Sequence, residues 1–184
     1  KPLAAAPVAD RIAAGLAHIP EDRHRTAIFS PMSIAENAAS ETIGAAPLSR
    51  SGLIDNGALR ANAQSIVDNF DVRCSGIEQP IGELSGGNQQ KVVLGRAMSR
   101  DPRLVVAVQP TRGLDIGATA FLHNQLLESR RKGAAVMLVS TELDEILALS
   151  DRVAVMFKGR IIGIIARKDV TMEKLGLMLA GESA

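Results

Sequence analysis

The chain has 184 residues, which is enough for one substantial hydrophobic core and a small appended subdomain. Hydrophobic residues make up 46% and charged residues 22%, as in ordinary globular proteins. A net charge of +1 and an aromatic content of 2% argue against nucleic acid as a partner, because neither a basic face nor stacking side chains are available. One cysteine predicts a reducing compartment, and the lack of an apolar run of about 18 residues predicts no membrane-spanning helix.

The second half of the chain alternates short apolar runs with helical patterns. Residues 103–108 and 134–140 are continuous apolar runs, which predicts strands buried on both faces, and residues 116–133 between them predict a helix. A helix over 142–150, a strand over 152–157, a second hairpin strand over 161–166 and a last helix over 172–181 follow. This order predicts an α/β fold with a parallel sheet, flanking helices and a C-terminal β-hairpin that adds an antiparallel edge.

The first half is mostly helical. Residues 15–19 predict one strand that ends at Pro20, and we expect the charged residues 21–25 to form a solvated loop. Helices are predicted after Ser30, as a cap, and over residues 56–70, without a second convincing strand before Glu83. We therefore expect three parts: 1–25, the start of the sheet; 26–83, an inserted helical subdomain; and 84–184, the main core.

A glycine-rich helix start is the sharpest local signal, in the stretch "LSGGNQQ". Ser85 is a favoured N-cap residue, and Gly86 and Gly87 let the backbone approach a ligand closely. Free amide groups at such a helix start suit an anion, for example a phosphate group. On its own the stretch favours an ordinary loop–helix junction, with Lys91 and Arg96 on the solvated face of the helix that follows.

Several motifs occur together in a fixed order. They are "GLAHIPEDRHR", "LSGGNQQ", "GRAM", "QPTRGLD" and "VSTELDEILALSDRVAVMFKGRI". The set resembles the nucleotide-binding subunit of ATP-binding cassette (ABC) transporters, and the first and fourth motifs are similar to the second cassette of simple-sugar and nucleoside importers. The resemblance covers most of the chain, though weakly in the helical part, and implies a P-loop NTPase-like fold. It identifies Leu84 to Gln89 as the signature motif, Pro110-Thr111 as the close of the Walker B strand and Gly113 to Asp115 as the D-loop.

The phosphate loop of the family, Gly-x-x-x-x-Gly-Lys-Ser/Thr, has no match. The dipeptide Gly-Lys does not occur, and a strand–loop–helix unit that carries such a loop needs about 30 residues, more than precede Leu16. We therefore expect the chain to be the C-terminal part of a cassette from a longer polypeptide.

Four positions depart from the family's hydrolytic site. The resemblance places Val108 and Gln109 where the family has the Walker B Asp and the catalytic Glu, so the metal-holding carboxylate is replaced by a side chain without oxygen. Gln109 can orient a water but cannot accept its proton near neutral pH. Thr141 stands at the switch-histidine position and Glu21 at the Q-loop glutamine. We therefore predict a site that does not hydrolyse ATP in cis, and no metal ligands of its own.

The motif residues that do match the family have roles implied by the resemblance. ABC cassettes pair head to tail, so Ser85, Gly86, Gly87, Asn88 and Gln89 would contact ATP and Mg held mainly by a partner cassette, in the same polypeptide or a paired subunit. Asp115 would lie at that interface, or would simply cap the helix after it. Segment 26–83 would contact transmembrane permease subunits, which would hold the protein on the cytoplasmic face of the cell membrane.

Three interpretations thus stay open. The preferred one is an importer ATPase part for sugars or nucleosides that belongs to an ATP-hydrolysing translocase and is inactive alone. In the second, Gln109 suffices for hydrolysis. The third is a DNA-repair or chromosome-type ABC ATPase, which needs long heptad arms that do not occur here.

Overall fold

The computed structural model describes residue 3 and residues 5–182. Its elements in chain order are α1 (Val8–Ala13), β1 (Leu16–Ile19), α2 (Arg23–Thr26), α3 (Ile34–Ala39), β2 (Ser49–Arg50), β3 (Leu53–Ile54), α4 (Asn56–Asn69), α5 (Gly86–Met98), β4 (Leu104–Val108), α6 (Ile116–Arg131), β5 (Ala135–Val139), α7 (Leu143–Leu149), β6 (Arg152–Phe157), β7 (Arg160–Ala166) and α8 (Met172–Leu179). Single 3₁₀ turns cover Ile81–Glu83 and Arg167–Asp169. The chain divides into two compact units at residues 139 and 140. The predicted boundaries at 25/26 and 83/84 stay predictions.

A three-stranded parallel sheet organises the first unit, with strand order β1-β4-β5. Leu16 pairs with Leu104, and Leu104 pairs with Ala135, so the carboxyl ends of the strands lie at one edge. The prediction that these strands are buried on both faces is wrong. Burial alternates along β4, and β5 is exposed at every second residue, because described residues cover one face of the sheet more fully than the other.

The helical segment is smaller and less regular than its sequence pattern predicts. The predicted cap at Ser30 is wrong: α3 begins after Ser33, which forms a capping box with Glu36. Hydrogen bonds from the backbone and the hydroxyl of Ser33 lower the pKa of the Glu36 carboxyl. The short antiparallel strands β2 and β3 were not predicted, since two residues each are too few to show a periodicity. Helix α4 lies where it was predicted.

Arg96 and Lys91 of α5 do not lie on a solvated face, so that prediction is wrong for both. Arg96 is buried: its Nη1 donates to the carbonyl oxygens of Ala27 and Asn37 at 3.0 and 3.1 Å, and its Nε lies 3.0 Å from a carboxylate oxygen of Glu41. Lys91 pairs with Asp71 at 2.8 Å, and its hydrogen bond lowers the pKa of that carboxyl. Both cations therefore fasten α5 to the preceding segment.

The second unit contains the hairpin β6–β7 with α7 and α8. The hairpin forms a two-stranded antiparallel sheet of its own in the described chain, whereas the sequence predicted it as an edge of the parallel sheet. Its inner face packs with α8 in a core that comprises Val153, Val155, Ile165, Leu175 and Met178. Its outer face leaves Met156, Ile161 and Ile164 exposed.

Candidate functional site at the signature turn

Three loops of the first unit meet beside the start of α5. They are residues 20–25 after β1, residues 84–87 before and into α5, and residues 109–115 after β4; we call them the strand-1 loop, the signature turn and the strand-4 loop. Parallel strands β1 and β4 bring their carboxyl ends to one edge, where ligands of α/β sheets bind. Glu21 of the strand-1 loop pairs with Arg112 of the strand-4 loop. The buried Gln90 side chain donates to the carbonyl of Pro110 at 3.0 Å.

The signature turn leaves the start of α5 uncapped. Ser85 occupies the N-cap with φ −60° and ψ 153°, yet its hydroxyl accepts from no backbone amide of the helix and instead accepts from the side-chain Nδ2 of Asn88 at 3.0 Å. Asn88 in turn accepts from the backbone amide of Arg73 at 2.9 Å, which makes it a structural link to the helical segment. Because Ser85 is exposed, a ligand can reach the first amide groups of the helix.

Gly86 and Gly87 lie in close contact with neighbouring side chains. A Cβ on Gly86 would lie 2.5 Å from the Nη2 atom of Arg23, and one on Gly87 would lie 3.2 Å from the Cβ of Ala118. A side chain at position 86 would therefore displace the Arg23 guanidinium, and one at position 87 would crowd the start of α6.

Gln89 is predicted from sequence to face a ligand, but it is buried. Its amide group donates to the carbonyl oxygens of Ile81 and Leu84 at 3.3 and 3.1 Å and accepts from Arg23 at 3.3 Å. It thus holds the signature turn from inside.

The end of β4 offers no carboxylate. Gln109 follows the half-buried Val108 in the left-handed region at φ 46°, and its backbone amide donates to the carbonyl of Val139 at 2.7 Å. In residue 3 and residues 5–182, no three His, Cys, Asp or Glu side chains form a group that could hold a metal ion. Magnesium prefers carboxylate oxygens, and Val108 and Gln109 supply none, so the residues at this strand end do not fit the ion.

Asp115 caps α6, which is one of its two predicted roles. Its Oδ1 accepts from the backbone amide of Ala118 at 2.8 Å, while Oδ2 lies 3.6 Å from the position that a Cβ on Gly87 would take. Ile116, the next residue, is 90% exposed. The capping carboxylate therefore lies beside the signature turn, and an apolar side chain beside it faces solvent.

Thr141 lies in the second unit, directly after Ser140, whose hydroxyl accepts from the amide of Glu142 at 3.0 Å. Glu21 belongs to the three-loop cluster through Arg112. The cluster also contains three residues that the sequence pattern did not predict: Arg23, Gln90 and Arg112. The expectation that residues 21–25 form a solvated loop is wrong in part, since Arg23 lies within a short helix, capped by Asp22, against the signature turn. A run of charged residues looks the same in the sequence whether its side chains are solvated or contact another part of the protein.

The fold is that of the ATP-binding cassettes of ABC transporters, as two solved structures show. A nucleotide-free ATP-binding cassette from an ABC transporter matches 85% of this chain and 62% of its own at 26% identity, with a TM-score of 0.67. A dimeric cassette bound to ADP and phosphate matches 86% of this chain and 67% of its own with a TM-score of 0.69, at 18% identity, and so bears on the fold alone. No family model matches the sequence.

Curated relatives narrow the class further. The nucleoside import ATP-binding protein of Lactococcus lactis is 43% identical over 89% of this chain, and the guanosine import ATP-binding protein of Bacillus subtilis is 43% identical over 92%. A ribose import ATP-binding protein of Rhizobium meliloti is 36% identical over 94%. The chain spans about a third of the length of each. It belongs to the ABC ATPase family, and its relatives are ATP-binding proteins of nucleoside and sugar importers.

Proposed function

We propose that this chain is part of the ATP-binding protein of an importer for nucleosides or sugars, the solutes named for its relatives. Because it spans about a third of those relatives, it acts within a longer polypeptide that supplies the phosphate loop. Its role there is to complete a nucleotide site held mainly by a partner cassette, with MgATP as the substrate.

The uncapped start of α5 is the observation that carries the proposal. Ser33, Asp55 and Asp115 cap their helices with side-chain hydrogen bonds, but Ser85 does not, although serine is a favoured cap. The unsatisfied amide groups and the positive end of the helix dipole favour a bound anion. A γ-phosphate presented by a second cassette supplies that anion, and the exposed Ile116 beside Asp115 suits contact with the same cassette.

Hydrolysis in this chain's own site is not part of the proposal. Val108 and Gln109 provide no carboxylate to hold magnesium or to accept a proton from water. Glu21 is engaged by Arg112 at the Q-loop position, and the switch position carries Thr141, which lacks an imidazole. This half is therefore inactive alone, and turnover depends on the signature turn acting in trans.

The helical segment is the part that we assign to the permease. Four large apolar side chains of this segment, Phe29, Met32, Leu53 and Ile54, are 54%, 45%, 77% and 51% exposed, and we propose that they contact the permease. No helix in the described part of the chain has the length and apolarity to cross a bilayer. Because the relatives are import ATP-binding proteins, we propose that the protein lies on the cytoplasmic face of the membrane, held there by the permease.

The test compares Ser85→Arg with Gln109→Ala in the complete importer ATPase that carries this chain. Ser85 is exposed and caps nothing, so arginine there blocks the signature turn without disturbing the core, and we expect ATP turnover to fall at least about 100-fold. Gln109→Ala is expected to leave turnover within about twofold, because a site without its carboxylates does not limit the rate.

Two outcomes would contradict the proposal. Unchanged turnover in Ser85→Arg would show that the signature turn has no role in trans. A large loss in Gln109→Ala would favour the competing interpretation, in which Gln109 orients the attacking water. Thermal unfolding of both variants controls for loss of the fold.

A further inference from the structure

Arg23 makes a contact that the proposed function does not use. It lies in the one-turn helix α2, half-buried, and its Nε donates to the side-chain oxygen of Gln89 at 3.3 Å. Its Nη2 lies 2.5 Å from the point where a Cβ on Gly86 would stand. The guanidinium group therefore fills the space that the glycine leaves open beside the signature turn.

Gln89 connects Arg23 to the backbone before α5, because its side chain contacts both. Only 3% of Gln89 is exposed, and its amide nitrogen donates to the carbonyl oxygens of Ile81 and Leu84. These two residues bound the short turn that leads to Ser85. Arg23 and Gln89 thus hold both sides of the signature turn, the outer side at Gly86 and the inner side at Leu84.

The helix that carries Arg23 is itself fixed. Asp22 caps α2 by accepting from the amide of Arg25 at 3.1 Å, and Glu21 pairs with Arg112 of the strand-4 loop. A planar guanidinium whose helix is held in this way can define the position of the side chain to which it donates.

We propose that Arg23 is a positioning residue for the signature turn and that it holds residues 84–87 in the conformation that receives a partner-held nucleotide. The role in nucleotide binding rests on the proposed function, whereas the ordering of the turn rests on the contacts alone. Loss of the guanidinium removes the hydrogen bond that the Gln89 oxygen accepts and the contact beside Gly86, so the turn samples other conformations and binds MgATP less tightly.

Hydrogen exchange of the nucleotide-free complete protein tests the ordering directly. In Arg23→Gln we expect the amide groups of residues 81–89 to exchange about tenfold faster, the change expected from losing one hydrogen bond that orders a turn. Arg23→Lys, which keeps the positive charge without the planar guanidinium group, is expected to give a smaller increase in the exchange rate. Arg25→Gln serves as the matched control, because Arg25 lies in the same helix with an exposed side chain, and it should exchange like the wild type.

Steady-state turnover with MgATP gives the second readout. Arg23→Gln should raise KM for MgATP about tenfold with kcat within about twofold, because a disordered turn weakens nucleotide binding more than it changes the closed complex. Arg23→Lys should recover part of the loss, and Arg25→Gln should not differ from wild type.

The outcomes separate the two proposals. Wild-type exchange and KM in both Arg23 variants, with turnover lost in Ser85→Arg, would overturn the role of Arg23 and leave the proposed function intact. Faster exchange in Arg23→Gln together with full turnover in Ser85→Arg would support the ordering of the turn and remove its function in trans. If thermal unfolding shows that Arg23→Gln is not folded, the exchange comparison is made with Arg23→Lys.

Discussion

At the scale of single residues, the buried guanidinium of Arg96 ties α5 to the helical segment. Besides its bonds to two carbonyl oxygens, it donates to the hydroxyl of Ser40 at 2.7 Å and pairs with Glu41, which also pairs with Arg100. Burial lowers the pKa of Arg96, while the carboxylate of Glu41 opposes that shift. A buried cation of this kind depends on its counter-charge, so Glu41 contributes to the attachment of α5 to the helical segment.

Glu41→Gln tests that dependence. Removal of the carboxylate leaves a buried cation with neutral partners only, and we expect the free energy of unfolding to fall by about 3 kcal/mol, measured by urea denaturation. Glu128→Gln is the matched control, since Glu128 pairs with Arg131 at 3.3 Å with both side chains exposed. Its loss should be below about 0.5 kcal/mol. Equal losses in the two variants would show that Arg96 does not depend on Glu41.

At the scale of elements, two helices that both follow a serine differ in how they begin. Helix α3 starts with a complete capping box between Ser33 and Glu36, whereas Ser85 leaves the start of α5 without a side-chain cap. The first helix is built for stability and the second leaves its amide groups available. Serine therefore has different roles at the two positions: Ser33 caps its helix, and Ser85 leaves the amide groups of its helix open to a ligand.

Ser33→Ala and Ser85→Ala compare the two helix starts. Ser33→Ala should lower the free energy of unfolding by about 1 kcal/mol, and Ser85→Ala by a few tenths, about the cost of a residue that caps nothing. The pKa of Glu36 is lowered in the folded state, so its contribution is present above the unfolded pKa and is lost as pH falls through the folded pKa. The stability difference between wild type and Ser33→Ala should therefore shrink in acid. An equal loss in both variants at neutral pH would contradict the assignment of the uncapped helix.

The elements also show how far local pattern predicts this structure. Helix α6 and the hairpin follow from periodicity and turn residues, since those signals lie within each element. The contact between Arg23 and Gln89 joins residues 66 apart in sequence, and that between Glu21 and Arg112 joins residues 91 apart. Such pairs depend on the path of the whole chain, so the composition of residues 21–25 predicted only a charged loop. The signature turn was assigned because its motif stands in a fixed order with the others and so resembles a known family; its glycines and serine alone favoured an ordinary loop–helix junction.

At the scale of the whole molecule, the parallel sheet has one face that described residues cover well and one that they cover poorly. Ala17, Ile19, Val105 and Ala107 on the first face are fully buried. On the other face, Met137 and Val139 of β5 are 55% and 40% exposed. Parallel sheets in α/β proteins are covered on both faces, and the chain spans 62% of the nucleotide-free cassette and 67% of the dimeric one. We therefore expect another part of the complete protein to cover this face.

A surface comparison on the 184-residue chain tests the open face. The double variant Met137→Thr with Val139→Thr should bind less of a hydrophobic fluorescent dye, because apolar area that water reaches is removed, while the free energy of unfolding changes by less than about 1 kcal/mol. Val105→Thr, on the covered face of the neighbouring strand, should instead cost about 1–3 kcal/mol in urea denaturation, because it buries a hydroxyl. A loss in the double variant as large as that in Val105→Thr would mean that Met137 and Val139 are packed in the folded chain. The same double variant is then made in the complete protein. If it lowers dye binding in the 184-residue chain but not in the complete protein, the remaining segments of the complete protein cover this face.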